Sequence, residues 1–424
     1  MTLKLESPRS RVILILATVA IGLFLIRISL SHFVVRVIAD QRVAMDRAAL
    51  AAAASRYPDS PRIQYKRAEA ETHGGDAGQA LEAATRAVEL SPWDYQARRL
   101  LAFTQELTGR QQEAEKSIRE TLNLAPNNGE LNWSVANILL RSGKLSESLP
   151  HFRIATVSNP ELLPQALDLI WQGSNEDIET VRRLAEGEPE LQLSVVRFLV
   201  EQKRIPEAVA YFNTIDRKTR LESNRSPEFL RSLMAAGQLA LARDVWRNLA
   251  AALTETDAAR IGPIWNPSFE LGALPLFDQF DWAIRPNEYA RIGFDRAETH
   301  SGLRSLRMLF SGKDTTLING QVRQLVVLRP GARYRLECYA KATDLVTPHG
   351  PRLAIANDRE VLATSDPVPE GTTPWQRLVV DFVSPADAGP RYVTIVRIPK
   401  FSYDEPTRGI VWFDDFALTE SPEK

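Results

Sequence analysis

The chain has 424 residues, 44% of them hydrophobic and 25% charged. That is more than one ordinary core holds, so two or three domains are expected. A formal net charge of −1 argues against a bulk nucleic-acid binder, though not against a local basic face, and one cysteine, Cys338, excludes an intrachain disulfide.

The first predicted element is a membrane helix. Val12 to Ile26 is apolar apart from Thr18 and Gly22, and the run continues past Arg27 to Val35. A spanning helix needs about 20 apolar residues, so residues 12–35 read as a transmembrane signal anchor with Arg27 snorkelling to the interface. Lys4, Arg9 and Arg11 place residues 1–11 in the cytoplasm by the positive-inside rule. A cleaved signal peptide is the competing reading, but its cleavage site at Val37-Ile38-Ala39 lies far beyond the apolar core. On the anchor reading the chain is a single-pass protein of a bacterial inner membrane, with its later domains periplasmic. Residues 36–57 follow as a helix-prone connector.

Residues 58–252 carry a repeat. Pro58, Pro92, Pro126 and Pro160 are 34 residues apart, as are Gly75, Gly109 and Gly143, and Ala68, Ala102 and Ala136. Ala80 and Ala114 continue the period, with Ser148 in the third copy. Small residues let two antiparallel helices pack closely, glycine makes the turn, and proline ends the second helix. A 34-residue period with these residues resembles the tetratricopeptide repeat, which implies an α-solenoid of helix-turn-helix units with a concave groove. After a shortened fourth copy the phase returns at Ala208 and Ala242, and Gly237 takes the turn position that Lys203 holds one repeat earlier.

The resemblance implies a protein or peptide partner. Gln64, Arg67, Arg98, Arg99 and Asn132 are the groove candidates, as polar positions on first helices. Arg98 and Arg99 suit an acidic peptide or a C-terminal carboxylate; the plain alternative is a solvated helix face. Trp93, Phe103, Trp133 and Phe152 read as repeat core.

Residues 253–263 read as a linker, after which the period changes to that of strands. Tyr334, Leu336, Cys338 and Ala340 share one face, and Arg335, Glu337, Tyr339 and Lys341 the other. Residues 264–420 are expected to form an antiparallel β-sandwich, followed by a tail at 421–424. Asn266-Pro267-Ser268-Phe269-Glu270, His300-Ser301-Gly302, Pro330-Gly331 and Val411-Trp412-Phe413-Asp414-Asp415 come in an order that resembles the galactose-binding-like jelly rolls of carbohydrate-binding modules. The resemblance implies a glycan site. Trp282, Tyr289, Arg335, Glu337, Tyr339, Lys341 and Arg377 are the candidates, with Arg323, Asp381 and Arg397 on the same side if register permits. Trp282, Trp375 and Trp412 read equally as core. It also implies a structural Ca²⁺ held by Glu270 and Asp415, of which Asp414 and Asp415 present only one in a regular strand.

No catalytic motif stands out. The five histidines are dispersed, and there is no phosphate-binding glycine loop and no nucleophile elbow. The carboxylate pairs Asp404-Glu405 and Asp414-Asp415 lack an obvious cleft. The expectation is a membrane-anchored, non-catalytic scaffold of the envelope, working in surface polysaccharide assembly or export. Its alternative is a purely structural protein–protein assembly factor whose sandwich binds no sugar.

Overall fold

The computed structural model describes residues 8–40, 46–312, 317–387, 389–399 and 406–421. The chain divides into two compact units, Met1–Ala185 and Glu186–Lys424. Helices of the expected array thus fall in both units.

The first unit contains α1 (Pro8–Asp40), α2 (Arg47–Arg56), α3 (Pro61–His73), α4 (Ala77–Leu90), α5 (Tyr95–Leu107), α6 (Gln111–Leu122), α7 (Gly129–Arg141), α8 (Leu145–Ser158), α9 (Leu163–Gly173) and α10 (Ile178–Leu184). The pairs α3/α4, α5/α6 and α7/α8 are the three clear repeats. Ala68, Ala102, Ala136, Ala80, Ala114 and Ser148 are fully buried, at the close approaches the period requires. Gly75, Gly109 and Gly143 have φ of +81°, +77° and +75°, a conformation that a side chain disfavours.

Each repeat begins on the same corner. Ser60, Asp94 and Asn128, again 34 residues apart, cap the first helix by accepting from Ile63 N, Ala97 N and Leu131 N. Six residues beyond each proline, a long polar side chain reaches back to the proline carbonyl. Gln64 Nε2 donates to Pro58 O at 3.2 Å, Asn132 Nδ2 donates to Pro126 O at 2.7 Å, and Arg98 Nε donates to Pro92 O. These carbonyls precede the helices and lie outside their ladders, so the side chains satisfy them. At Pro160 the corner fails. Leu162 makes no cap, Ala166 is buried with nothing to donate, and a short 3₁₀ turn, Pro160–Leu162, takes its place.

Two expectations change here. The connector is not separate from the array, because Ala53, Ala54 and Tyr57 of α2 pack on Ile63 of α3, and Arg47 bonds Glu71. The expected anchor forms a helix, α1, but among the described residues no helix is long and apolar enough to cross a membrane. Residues 1–7 of the expected cytoplasmic tail and 41–45 of the connector lie outside the described residues.

The second unit opens with α11 (Pro189–Glu201), α12 (Ile205–Thr214), α13 (Arg217–Glu222), α14 (Arg225–Ala235) and α15 (Leu239–Thr254). Lys203 holds φ +61° where Gly237 holds +76°, so the turn survives without glycine at some strain. The strands are β1 (Ala283–Ile284), β2 (Ala290–Asp295), β3 (Ser305–Ser311), β4 (Ile318–Val326), β5 (Arg333–Val346), β6 (Arg352–Ala356), β7 (Val361–Thr364), β8 (Gly371–Val383), β9 (Arg391–Arg397) and β10 (Arg408–Glu420). They form two antiparallel sheets, ordered β1-β4-β9-β6-β7 and β2-β3-β10-β5-β8. Tyr334, Leu336, Cys338, Ala340 and Ala342 of β5 point into the shared core, with Val393 and Ile395 of β9 and Val411 and Phe413 of β10.

Residues 253–263 are not a free linker. Arg243 of α15 is 8% exposed and donates from Nη2 to Gly262 O at 2.9 Å. Its guanidinium lies over the rings of Trp246 (4.6 Å) and Phe280 (5.5 Å), a cation–π contact that offsets part of its desolvation. Burial still lowers its pKa to about 10, with Arg247 adding to the effect. Trp246, fully buried, donates Nε1 to Phe277 O at 2.7 Å and packs edge-on against Trp265 at 5.3 Å. The last helix and the opening loop of the sandwich therefore share one core. Trp246→Ala is expected to lower the unfolding free energy of this unit by about 3–5 kcal/mol in urea titration. A loss under about 1 kcal/mol would contradict a shared core.

Candidate functional site

In the first unit a concavity lies across the first helices of the three clear repeats. It measures about 380 Å³ and is lined by Tyr65, Glu69, Thr72 and His73 of α3, Arg99, Leu100 and Phe103 of α5, and Trp133, Ser134, Asn137, Ile138 and Arg141 of α7. Many of these stand in columns of the 34-residue period: 65/99/133, 69/103/137 and 73/107/141. Equivalent side chains from successive repeats project onto one surface because the helices stack in register.

The floor is apolar and the charges are paired. Phe103 is 39% exposed, and Trp133 packs edge-on against the buried Phe152 at 5.3 Å. Arg99 pairs with Glu130 at 2.7 Å. Arg141 holds both oxygens of Glu106, at 2.6 and 2.7 Å. Glu69 accepts from Lys66 at 2.7 Å. Burial, and then the Glu69 carboxylate, hold the Tyr65 phenol well above its usual pKa. Asn137 donates to Trp133 O at 2.8 Å, and its Oδ1 has no partner among the described residues.

Of the five groove candidates, only Arg99 lines this surface. Gln64 and Asn132 are 5% and 0% exposed, because they serve the repeat corner; Asn132 Oδ1 also lies 2.8 Å from His151 Nδ1. Arg98 serves the same corner and faces Glu120 at 3.8 Å. Arg67 turns to Gln79 and Glu82 of α4, each at 3.4 Å. Two aromatics expected in the core are not there: Phe103 floors the groove and Trp93 is 81% exposed. Tyr65, Glu69, Asn137 and Arg141 were not legible as site residues from polarity, yet the column spacing marks them.

On the sandwich, the polar face of β5 is closed by its own ion pairs. Arg335 makes a bidentate pair with Asp381 (2.8 and 2.9 Å), whose hydrogen bonds lower the Asp381 pKa. Glu337 faces Arg377 at 3.6 Å, and Lys341 bonds Glu298 at 2.6 Å. Tyr339 stacks on His300 at 3.7 Å, with Trp375 edge-on to the same imidazole at 5.6 Å. Trp282 is a packing residue: it bonds Asn266 O and contacts the rings of Phe269 and Phe416. Tyr289 stands at the edge of β2, its carbonyl accepting from Ser311 N. Arg323 belongs to the other sheet, over Tyr392 and beside Asp358, and Arg397 is 1% exposed, so neither joins this face.

The expected calcium pair is engaged otherwise. A bulge in β10 gives Asp415 a φ of +52° and breaks the alternation, so Asp414 and Asp415 both grip the loop before β3. Asp414 Oδ2 accepts from His300 N (2.8 Å) and Ser301 N (3.2 Å). Asp415 accepts from the hydroxyls of Ser268 and Ser301 and meets His300 Nδ1. Glu270 accepts from Leu303 N (2.7 Å) and Arg304 N (2.9 Å). The carboxylates thus face hydrogen-bond donors, where a calcium ion needs converging oxygen lone pairs, and the residues do not fit the ion. Among the described residues no group of three or more His, Cys, Asp or Glu is placed to hold a metal. Asp404 and Glu405 lie outside the described residues.

Residues 47–95 match the family described as Tetratricopeptide repeat. The match spans α2, α3 and α4. No curated protein matches the chain. Among solved structures, one described as the crystal structure of MamA is 14% identical over 32% of this chain and 82% of that one, with a TM-score of 0.29. MamA 41-end from Desulfovibrio magneticus RS-1 is 15% identical over 37% and 92%, with a TM-score of 0.27. A mutant O-GlcNAc transferase of Thermobaculum terrenum is 16% identical over 37% and 27%, also at 0.27.

The loop grip generates a pH prediction. Burial raises the Asp415 pKa, but hydrogen bonds from His300, Ser268 and Ser301 outweigh it and the net value is lowered. A carboxyl whose folded pKa lies below its unfolded value, about 3.9, stabilises above that pH and loses its contribution as pH falls through the folded value. Asp414, raised by burial, contributes with the opposite sign. Asp415→Asn is expected to cost about 1–3 kcal/mol at pH 7 in urea unfolding, with the gap to wild type shrinking below about pH 4. A gap that stays constant down to pH 3 would contradict the assignment.

Proposed function

We propose that the chain is a non-catalytic scaffold whose first unit docks a protein partner in the groove of α3, α5 and α7. Tetratricopeptide repeats imply protein interaction, and the observation that carries the reading is this groove. Three repeats line one surface in register, with Phe103 exposed and Leu100 and Trp133 half-buried, while Gln64 and Asn132 at the corners are buried and committed to the fold. The sandwich then serves as a second interaction or spacing domain rigidly continued from α15.

An envelope location, with α1 as the point of attachment, is part of the proposal. Its support is that Leu14, Ile15, Leu16 and Leu23, Phe24, Leu25, Ile26 are all exposed, so α1 is apolar on every side. A helix of that kind needs an apolar cover. The polysaccharide reading is the second one. It rests on the sandwich and on the Tyr339, His300 and Trp375 rings at one sheet face, since aromatic faces stack on sugars. A glycan array probed with the full chain tests it: no binding to any envelope polysaccharide removes that reading and leaves the assembly factor.

The scaffold reading is tested by a photocrosslinking residue placed at Phe103 in the producing cells. It is expected to give a discrete protein adduct that the same residue at exposed Gln112 does not give. Identical adducts from both positions, or none from Phe103, would overturn groove docking.

A further inference from the structure

We infer that the groove selects an uncharged partner segment through one bulky apolar side chain, and does not recognise an acidic peptide or a terminal carboxylate. This deepens the scaffold reading and rests on it.

The charge pattern carries the inference. Both arginines that line the groove are already paired, Arg99 with Glu130 and Arg141 with Glu106. The Glu106 side chain is only 11% exposed. An incoming carboxylate that captured Arg141 would leave that acid uncompensated at low solvation, a cost that tends to exceed the attraction gained. Glu69 adds negative charge on the α3 side. An acidic partner therefore meets engaged cations and repelling anions. A basic partner would compete with Arg99, Arg141 and Lys66 for the same carboxylates.

The floor offers what the rim does not. Phe103, Leu100 and Trp133 present apolar surface between the paired charges. Thr72, Ser134 and Asn137 are short enough to leave depth beside it. The volume falls at the small end of the roughly 300–1,000 Å³ of ligand pockets, which suits one or two side chains of a segment laid across the helices. Burying one aromatic or leucine side chain supplies the binding energy without an ion pair, so affinity is insensitive to screening.

Fluorescein-labelled dodecapeptides, capped at both ends and alike except for one central Phe, Leu, Asp or Arg, are titrated with the full chain by anisotropy. The Phe and Leu peptides are expected to bind at least about tenfold more tightly than the Asp and Arg peptides. Their affinity should change less than about twofold between roughly 50 mM and 0.5 M salt. Phe103→Asp, checked for unchanged helicity, should abolish the preference. Tightest binding by the Asp or Arg peptide, a steep salt dependence, or no binding by any peptide would overturn the inference. If one of these occurs while the Phe103 photoadduct still forms, groove docking stands and only its chemistry is wrong. If the adduct is also missing, the scaffold reading fails with it.

Discussion

A proline carbonyl is the fixed point of each clear repeat. It lies just before the first helix and outside any helical ladder, within reach of one side chain from that helix. Gln64, Arg98 and Asn132 reach back six residues to satisfy it, while Ser60, Asp94 and Asn128 cap the helix that follows. A cap contributes about 1 kcal/mol and a side-chain hydrogen bond to a carbonyl a similar amount. Together they tie the turn that enters each repeat to the helix that follows it. Where residues 162 and 166 become Leu and Ala, the corner is gone and the regular period ends.

The groove follows from that regularity. With the corners equivalent, side chains 34 residues apart fall into columns on one face. Tyr65, Arg99 and Trp133 share one column, and Glu69, Phe103 and Asn137 another. The polar residues divide into two groups with different tasks. Those at the corner, buried at Gln64 and Asn132 and half-buried at Arg98, hold the turn. Those on the surface pair with one another and leave the aromatic floor for a partner.

Much of the solenoid was legible because single residue types answer single physical needs. Only small residues fit at Ala68, Ala102 and Ala136, and glycine is favoured at a φ near +80°, so spacing alone reveals them. The alternation of β5 was legible for the same reason. Polarity misled where a polar side chain works inward. Gln64 and Asn132 read as exposed because nothing local shows the carbonyl they serve. Trp246 fits the repeat phase, and its bond to Phe277 links positions that no local pattern connects. The turn of Asp415 onto the loop at His300 depends on a bulge, which alternation cannot foresee.

The central claim is that the corner, and not helix propensity, keeps the repeats in register. Hydrogen exchange of the double variant Asp94→Ala/Arg98→Ala tests it most directly. Loss of one cap and one carbonyl bond is expected to lower the opening free energy of α5 by about 2 kcal/mol, roughly thirtyfold faster exchange. The loss should spread to the amides of α4 and α6, whose packing α5 completes. Exchange that rises only in the first turn of α5, with α4 and α6 unchanged, would contradict the account.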